Sequence, residues 1–322
     1  MFAFRTFAIV ASLAALAATA SAQSWPTKPV RIIVGFAAGG PSDTIARIIA
    51  EPLSKAYNQQ FVVENRPGAG GNLAADIVAK APPDGYTLFL SPPGPLTNHQ
   101  FLYKSLPFDP EKDFTPIIIA TDMPLVFALK PSTPITSIAE LIAYAQKNPG
   151  KLNYASPGNG TLGHLSAELF KHTTRTDIVH IPYRGSAPAQ QDLLAGTVDM
   201  ASDNVPPYLR FIQSGELRAL AVTTAARWPS LKDVPTMQEA GLADFEASSW
   251  AAIVGPAKLP AEIVNAVNRT LNDYLKSPEA KTRFNNLSVE PMGGSPEDFA
   301  KRVRAEISRW GPLIQKIGVQ ID

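Results

Sequence analysis

Two short loops carry the residue types that could hold an anion. The first is Gly35-Phe36-Ala37-Ala38-Gly39-Gly40-Pro41-Ser42-Asp43, lying between the apolar run Val30–Val34 and a helical pattern marked by Ile45, Ile48, Ile49 and Leu53. Glycines let a backbone approach a ligand closely, and the first amides of a helix have no partner within it. With the helix dipole added, such a corner favours a carboxylate or a phosphate. An ordinary strand-to-helix turn with Ser42 as N-cap accounts for the same residues. The second loop is Pro157-Gly158-Asn159-Gly160, with Thr161 as the expected N-cap of a helix whose apolar face is Leu162, Leu165 and Leu169. Gly40 and Gly160 are the positions where a positive φ or close ligand approach is expected.

These loops need strands behind them and helices in front. Strand-like and helix-like patterns alternate along the chain, which indicates an α/β architecture with mostly parallel sheets. Strands are expected at 61–64, 86–90, 116–120 and 125–130, with a helix over 72–80 and an irregular loop over 91–95. The unit then restarts with strands near 152–156, 178–181, 198–201 and 218–222. A helix entered through Pro182-Tyr183-Arg184-Gly185-Ser186-Ala187-Pro188 is expected to end at Gly196. The segment 249–254 leads back to the first half. From Pro260 the tail reads as helical, with Ile263, Val267, Leu271 and Leu275 on one stripe. The expected organisation is a first lobe of residues 23–122 and 243–322 and a second lobe of 123–242. A cleft would open where the strand ends of the two lobes face each other.

The N-terminus carries Arg5, an apolar run from Phe7 to about Ala18, and Ala20-Ser21-Ala22. That is the pattern of a secretory signal peptide cleaved after Ala22, spanning residues 1–22. The mature protein is expected to be exported. The sequence has no cysteine, so disulfides, thiolate chemistry and a lipid-modified cysteine are excluded. Its 29 Lys and Arg stand against 28 Asp and Glu, and loss of Arg5 with the leader would balance them. Without a dense basic run, nucleic acid is not an expected partner. The 30 prolines are scattered between apolar runs as loop punctuation.

The two loops, together with Asn65-Arg66-Pro67-Gly68-Ala69-Gly70-Gly71-Asn72, Pro83-Asp84-Gly85-Tyr86-Thr87-Leu88, Gly158-Asn159-Gly160-Thr161-Leu162-Gly163-His164-Leu165 and Pro182–Pro188, closely resemble the Bug family. These are periplasmic solute-binding proteins of tripartite tricarboxylate transport systems. The resemblance covers essentially the whole chain after the leader. It implies a two-lobed type II periplasmic binding fold without a cofactor; no metal and a monomeric state are expected beside it. The ligand would be a small organic carboxylate, held by backbone amides of two facing loops and passed to integral membrane transporter subunits. Carried onto this chain, the loops are residues 36–43 and 158–161.

The site residues expected on this basis are Phe36, Ala38, Gly39, Gly40, Ser42, Asp43, Gly158, Asn159, Gly160, Thr161, His164, Arg184, Ala187 and Asp203. Several have a second explanation. Asp43 could cap its helix, Phe36 could pack under the loop, and His164 could serve packing or a loop hydrogen bond. Arg184 could pair with a carboxylate bidentately or form a salt bridge within its lobe. Asp203 and Asn204 could rim the pocket or cap a loop. The Gly68–Gly71 turn is read as tight geometry inside the first lobe.

Two rival functions bear on the same residues. A hydrolase would need a catalytic constellation. The four histidines, at 99, 164, 172 and 180, have no metal-ligand spacing, no G-x-S-x-G elbow occurs, and only the proximity of Ser186 to His180 hints at a triad. A receptor that presents its carboxylate to a membrane sensor is the other alternative.

Overall fold

The computed structural model describes residues 25–321. The expected leader and its cleavage point lie outside them. In the first lobe, β1 (Val30–Val34) runs into α1 (Pro41–Tyr57), β2 (Phe61–Asn65), α2 (Asn72–Ala79) and β3 (Thr87–Ser91). The two strands β2 and β3 flank β1 in parallel. Both faces of β1 are covered, which is why all its residues but Arg31 are apolar and buried. Val30, Ile32 and Val34 pack with Ile45, Ile49 and Leu53 of α1 on one face. Ile33 packs with Ala74, Val78 and Phe89 on the other.

Two short helices, α3 (Pro93–Leu96) and α4 (His99–Leu102), follow where an irregular loop was expected. Proline at the start of α3 suits a first helical turn, because the amide it lacks would have no partner there. Next comes β4 (Phe114–Leu129), a 16-residue strand. The sequence suggests two extended segments here, since Thr121-Asp122-Met123-Pro124 interrupts the apolar pattern. The structure joins them. Up to Pro124 the strand pairs with β9, and from Leu125 onward with β7 and β8.

Beyond β4 the second lobe contains α5 (Ile138–Lys147), β5 (Asn153–Ser156), α6 (Leu162–Thr174), β6 (Val179–Pro182), α7 (Ser186–Ala195), β7 (Met200–Asn204), α8 (Leu209–Gln213) and β8 (Arg218–Val222). The β5 strand is parallel to β6 and β7. Its core lies on both sheet faces, with Phe127, Tyr154 and Phe170 on one and Val126, Leu193 and Tyr208 on the other. The chain returns through β9 (Ser248–Pro256), α9 (Ala261–Leu275), α10 (Pro278–Asn285), β10 (Glu290–Pro291) and α11 (Pro296–Ile317). As expected, Ile263, Val267, Leu271 and Leu275 of α9 are buried on one stripe.

The sheet is mixed rather than mostly parallel, because β9 is antiparallel to both β3 and β4. Hydrogen bonding continues through β4 in the order β2-β1-β3-β9-β4-β7-β5-β6. The fold is two-lobed, and a further apolar cluster lies where the lobes meet. It gathers Leu102 and Leu125, Leu162 and Leu165 of α6, Trp310 and Ile314 of α11, and Ile321.

Candidate functional site

Three helices from the two lobes aim their N-terminal turns at one cleft. Its lining includes Gly40, Pro41 and Ser42 of α1, Thr161, Leu162 and Gly163 of α6, and Ser186 of α7. Phe36, Gly70, Pro92–Gly94, Pro157, Asn204 and Ser249 complete it. The cleft holds about 520 Å³ of empty space, its open mouth included. None of the lining side chains is ionisable. An anion placed here would meet first-turn amides, helix dipoles and neutral hydroxyl or amide groups.

The local sequence explains each corner. Gly40, not Ser42, is the N-cap of α1, and its side-chain-less backbone makes no cap hydrogen bond. Pro41 occupies the first helical position, which moves Ser42 inside the helix and leaves its hydroxyl without a partner among the described residues. Gly40 has φ −81°, so the left-handed residue of this loop is Gly39 at +85°. In the second loop Gly160 does take a positive φ, +77°. Thr161 caps α6 as expected, its hydroxyl accepting from the His164 amide at 3.4 Å and donating to the Gly158 carbonyl at 2.7 Å. Gly163 had no functional reading of its own. A Cβ there would overlap the Ser202 carbonyl, so only glycine lets the first turn of α6 lie against β7.

Of the expected residues, Phe36, Gly40, Ser42 and Thr161 line the cleft. Gly158, Asn159 and Arg184 line an adjoining opening that shares Phe36, Gly70 and Pro157 with it. The Arg184 carbonyl accepts from the Ala37 amide across the lobes at 3.3 Å. Its guanidinium is exposed and has no partner among the described residues. Ala38 and Gly39 are exposed on the rim of the first loop, and Ala187 contributes a first-turn position of α7.

Asp43, His164 and Asp203 stand behind the cleft wall. The Asp43 carboxylate accepts from the Gly39 amide at 3.0 Å and pairs with Arg47 at 2.9 Å, closing the first loop on itself. Burial works to raise its pKa, but Arg47, the Gly39 amide and Asn65 outweigh that and hold it below the ordinary carboxylate range. His164 accepts from the Gly160 amide through Nδ1 at 3.2 Å and stacks on His180 at 4.2 Å. Burial pushes His164 down to about 4. Asp203 is fully buried and accepts from the Ser186 hydroxyl at 3.0 Å, the Asn204 amide at 2.6 Å and the Tyr208 hydroxyl at 3.2 Å. Burial raises it to about 7.

Contacts between the lobes hold the cleft together. His99, fully buried, pairs through Nδ1 with the Asn72 side-chain amide and sits with Nε2 3.3 Å from the Gly160 carbonyl. Burial pushes its pKa down to about 3. Gly70 abuts the Asn159 carbonyl so closely that a Cβ could not fit. The Gly68–Gly71 turn thus meets the opposite lobe as well as its own. Ser186 and His180 form no triad, since Ser186 bonds to Asp203 and His180 Nε2 bonds to Ser156 Oγ at 2.6 Å. Among the described residues no cluster of His, Asp or Glu could hold a metal ion.

Sequence reasoning missed Ser249, Gly70 and the Pro92–Gly94 wall. Their only signal was position at a strand end or in a turn, which many segments share.

The tripartite tricarboxylate transporter family receptor matches residues 45–319 of the chain. Similar solved structures include a protein of R. palustris with adipate, at 42% identity and a TM-score of 0.89, covering 92% of this chain and 99% of that one. The periplasmic binding protein BugD is 35% identical with a TM-score of 0.88, over 92% and 99% of the two chains. MatC from Rhodopseudomonas palustris, with bound malate, is 33% identical with a TM-score of 0.86, over 90% and 100%.

Proposed function

The chain belongs to the tripartite tricarboxylate transporter receptor family, and we propose that it captures a small organic carboxylate in the cleft and delivers it to integral membrane transporter subunits. One observation carries this reading above the others. The N-termini of α1, α6 and α7 converge from two lobes on a lining with no ionisable side chain. A carboxylate is stabilised there by partial positive charge and unpaired amides. A substrate cation would meet the wrong end of every dipole. The neighbours solved with adipate and malate make linear dicarboxylates the first candidates.

In this proposal the protein works in the periplasm as a monomer after loss of residues 1–22. The lobes are residues 23–122 with 243–322, and 123–242, and they move about the crossing strands β4 and β9. The ligand-contacting set is the first-turn amides of Ser42, Asp43, Leu162, Gly163, Ser186 and Ala187, with the Ser42 and Ser249 hydroxyls and the Asn204 side-chain amide. It acts as a receptor and not as an enzyme.

Isothermal titration of ligand-free protein with adipate, malate and a panel of other small carboxylates tests the proposal. Stoichiometric binding, with a rise in melting temperature by mass action, is expected for at least one of them. A folded protein that binds none overturns it. Turnover of esters or amides would return the hydrolase to consideration.

A further inference from the structure

Asp203 is an acidic side chain placed directly behind a site for acids. Its carboxylate is fully buried, and the group that separates it from the cleft is the Ser186 hydroxyl. In this arrangement Ser186 donates its only proton inward, to Asp203 Oδ1, and so has none to offer a ligand oxygen. The other donors to Asp203 are the Asn204 amide and the Tyr208 hydroxyl. The ionisable group facing it from the 205–208 turn is Tyr208, on which Tyr183 of the loop before α7 acts in turn, its hydroxyl donating to Asp192 at 2.6 Å. Its β4 neighbour in register is Val126. No lysine or arginine acts on it.

An anion arriving on the outer side of Ser186 would lie within about two hydrogen-bond lengths of this uncompensated charge. Two like charges that close, with low-dielectric walls around them, cannot both persist cheaply, and the weaker acid takes a proton. We propose that Asp203 is a positioning residue that takes up a proton from solvent when a carboxylate enters the cleft, freeing the Ser186 hydroxyl to turn and donate to the ligand. The proton ends on the Asp203 carboxyl. The Asn204 backbone amide continues to donate to it, and the O–H bond formed on Asp203 is matched by the one broken in the hydronium or buffer acid that gives up the proton. The inference rests on the receptor reading given above. It adds that the receptor loads its anion together with a proton. The free-state titration near 7, which burial produces, places the effect in an accessible range.

Adipate titrations between pH 6.5 and 8.5 read this out, because ordinary carboxyls with pKa about 4.3 are ionised throughout. The wild-type protein should take up close to one proton per ligand above about pH 8 and progressively less toward pH 6.5, where free Asp203 already carries the proton, measured from buffers of different ionisation enthalpy. Its Kd should rise up to about tenfold per pH unit above the free-state titration. Asp203→Asn keeps the shape and removes the charge, so it should bind with a flat pH profile and no proton uptake. Uptake that persists in Asp203→Asn, or wild-type binding with none, overturns the proposal. Infrared difference spectra of ligand-free wild type against Asp203→Asn make the test independent of adipate. A carboxylic acid band titrating near neutrality only in wild type is expected, and its absence overturns the proposal. Failure of every carboxylate to bind would instead count against the receptor reading.

Discussion

His99 Nε2 of the first lobe lies 3.3 Å from the Gly160 carbonyl of the second. Nδ1 of the same ring faces Asn72 Oδ1, so both ring nitrogens meet acceptor oxygens. A neutral imidazole carries one N–H and donates to one of the two at a time. The ring also fills the space beside Gly94 and Gly160, where a Cβ would come within 2.7 Å of it at Gly160. One side chain thus closes the gap between the lobes by packing and by hydrogen bonding.

Replacing it should weaken closure. His99→Ala leaves a cavity and strands the Gly160 carbonyl, a cost of about 2–4 kcal/mol from combined packing and hydrogen-bond loss. The variant should fold with a lowered melting temperature and bind carboxylate at least tenfold more weakly. Unchanged affinity in calorimetry would show that His99 contributes to stability alone.

Glycine substitutions should separate binding from folding. Gly40 has an ordinary φ, and a Cβ there meets nothing closer than the Ala37 carbonyl at 3.6 Å. Gly40→Val should keep the melting temperature within a few degrees while obstructing the cleft and abolishing binding. Gly163→Ala should do the reverse first, destabilising the protein by about 1–3 kcal/mol as α6 is forced off β7. Gly160→Val is a poor test of ligand contact, because positive φ and the His99 ring would both resist it. Thermal melts beside titrations decide whether the two effects part in this way.

Stability should fall on acidification earlier than surface carboxylates alone require. His164 and His180 stack with Tyr154, and burial lowers them to about 4 and about 3, His180 being further lowered by His164 and Lys171. With folded values below the ordinary 6.5, the unfolded chain binds more protons than the native one. Their contribution is complete above about pH 6.5 and is lost as pH falls toward 3–4. Asp203 has the opposite sign, since its raised value makes the native state the better proton binder between about 4 and 7. Urea denaturation at pH 7 and pH 5 should show His180→Gln losing less stability than wild type, by up to about 1.4 kcal/mol per pH unit. Equal losses in the two proteins would remove the stack from the explanation.

Much of the scaffold was legible because it rests on local patterns. The apolar runs became β1, β2 and β3, and the stripe at 263, 267, 271 and 275 became the buried face of α9. The joined strand β4 was not legible, since Thr121-Asp122-Met123-Pro124 looks like a break and only pairing with β9 across the fold carries the strand through it. The family resemblance pointed to both glycine loops. What it could not supply was which side of each loop faces the cleft. Asp43 turned inward to Gly39 and Arg47, while Ser249, over two hundred residues from Ser42 in sequence, arrived in the same lining.

Ligand binding should shift the protein toward the closed arrangement described here. Three contacts exist only when the lobes meet: Ala37 amide to Arg184 carbonyl at 3.3 Å, His99 to Gly160, and Gly70 against Asn159. All three involve one of the loops proposed to hold the carboxylate. Separating the lobes would take the α1 turn away from the α6 and α7 turns, so an open form could offer the anion only part of its donors. A ligand moves such an equilibrium only through its difference in affinity between the two states, and here that difference is built into the split donor set. The open form should therefore dominate without ligand, and His99→Ala should need more ligand to close. Small-angle scattering with and without saturating carboxylate should show the radius of gyration falling on binding in wild type. Identical radii, with binding proven by calorimetry, would mean that the cleft is preformed and that these contacts are permanent.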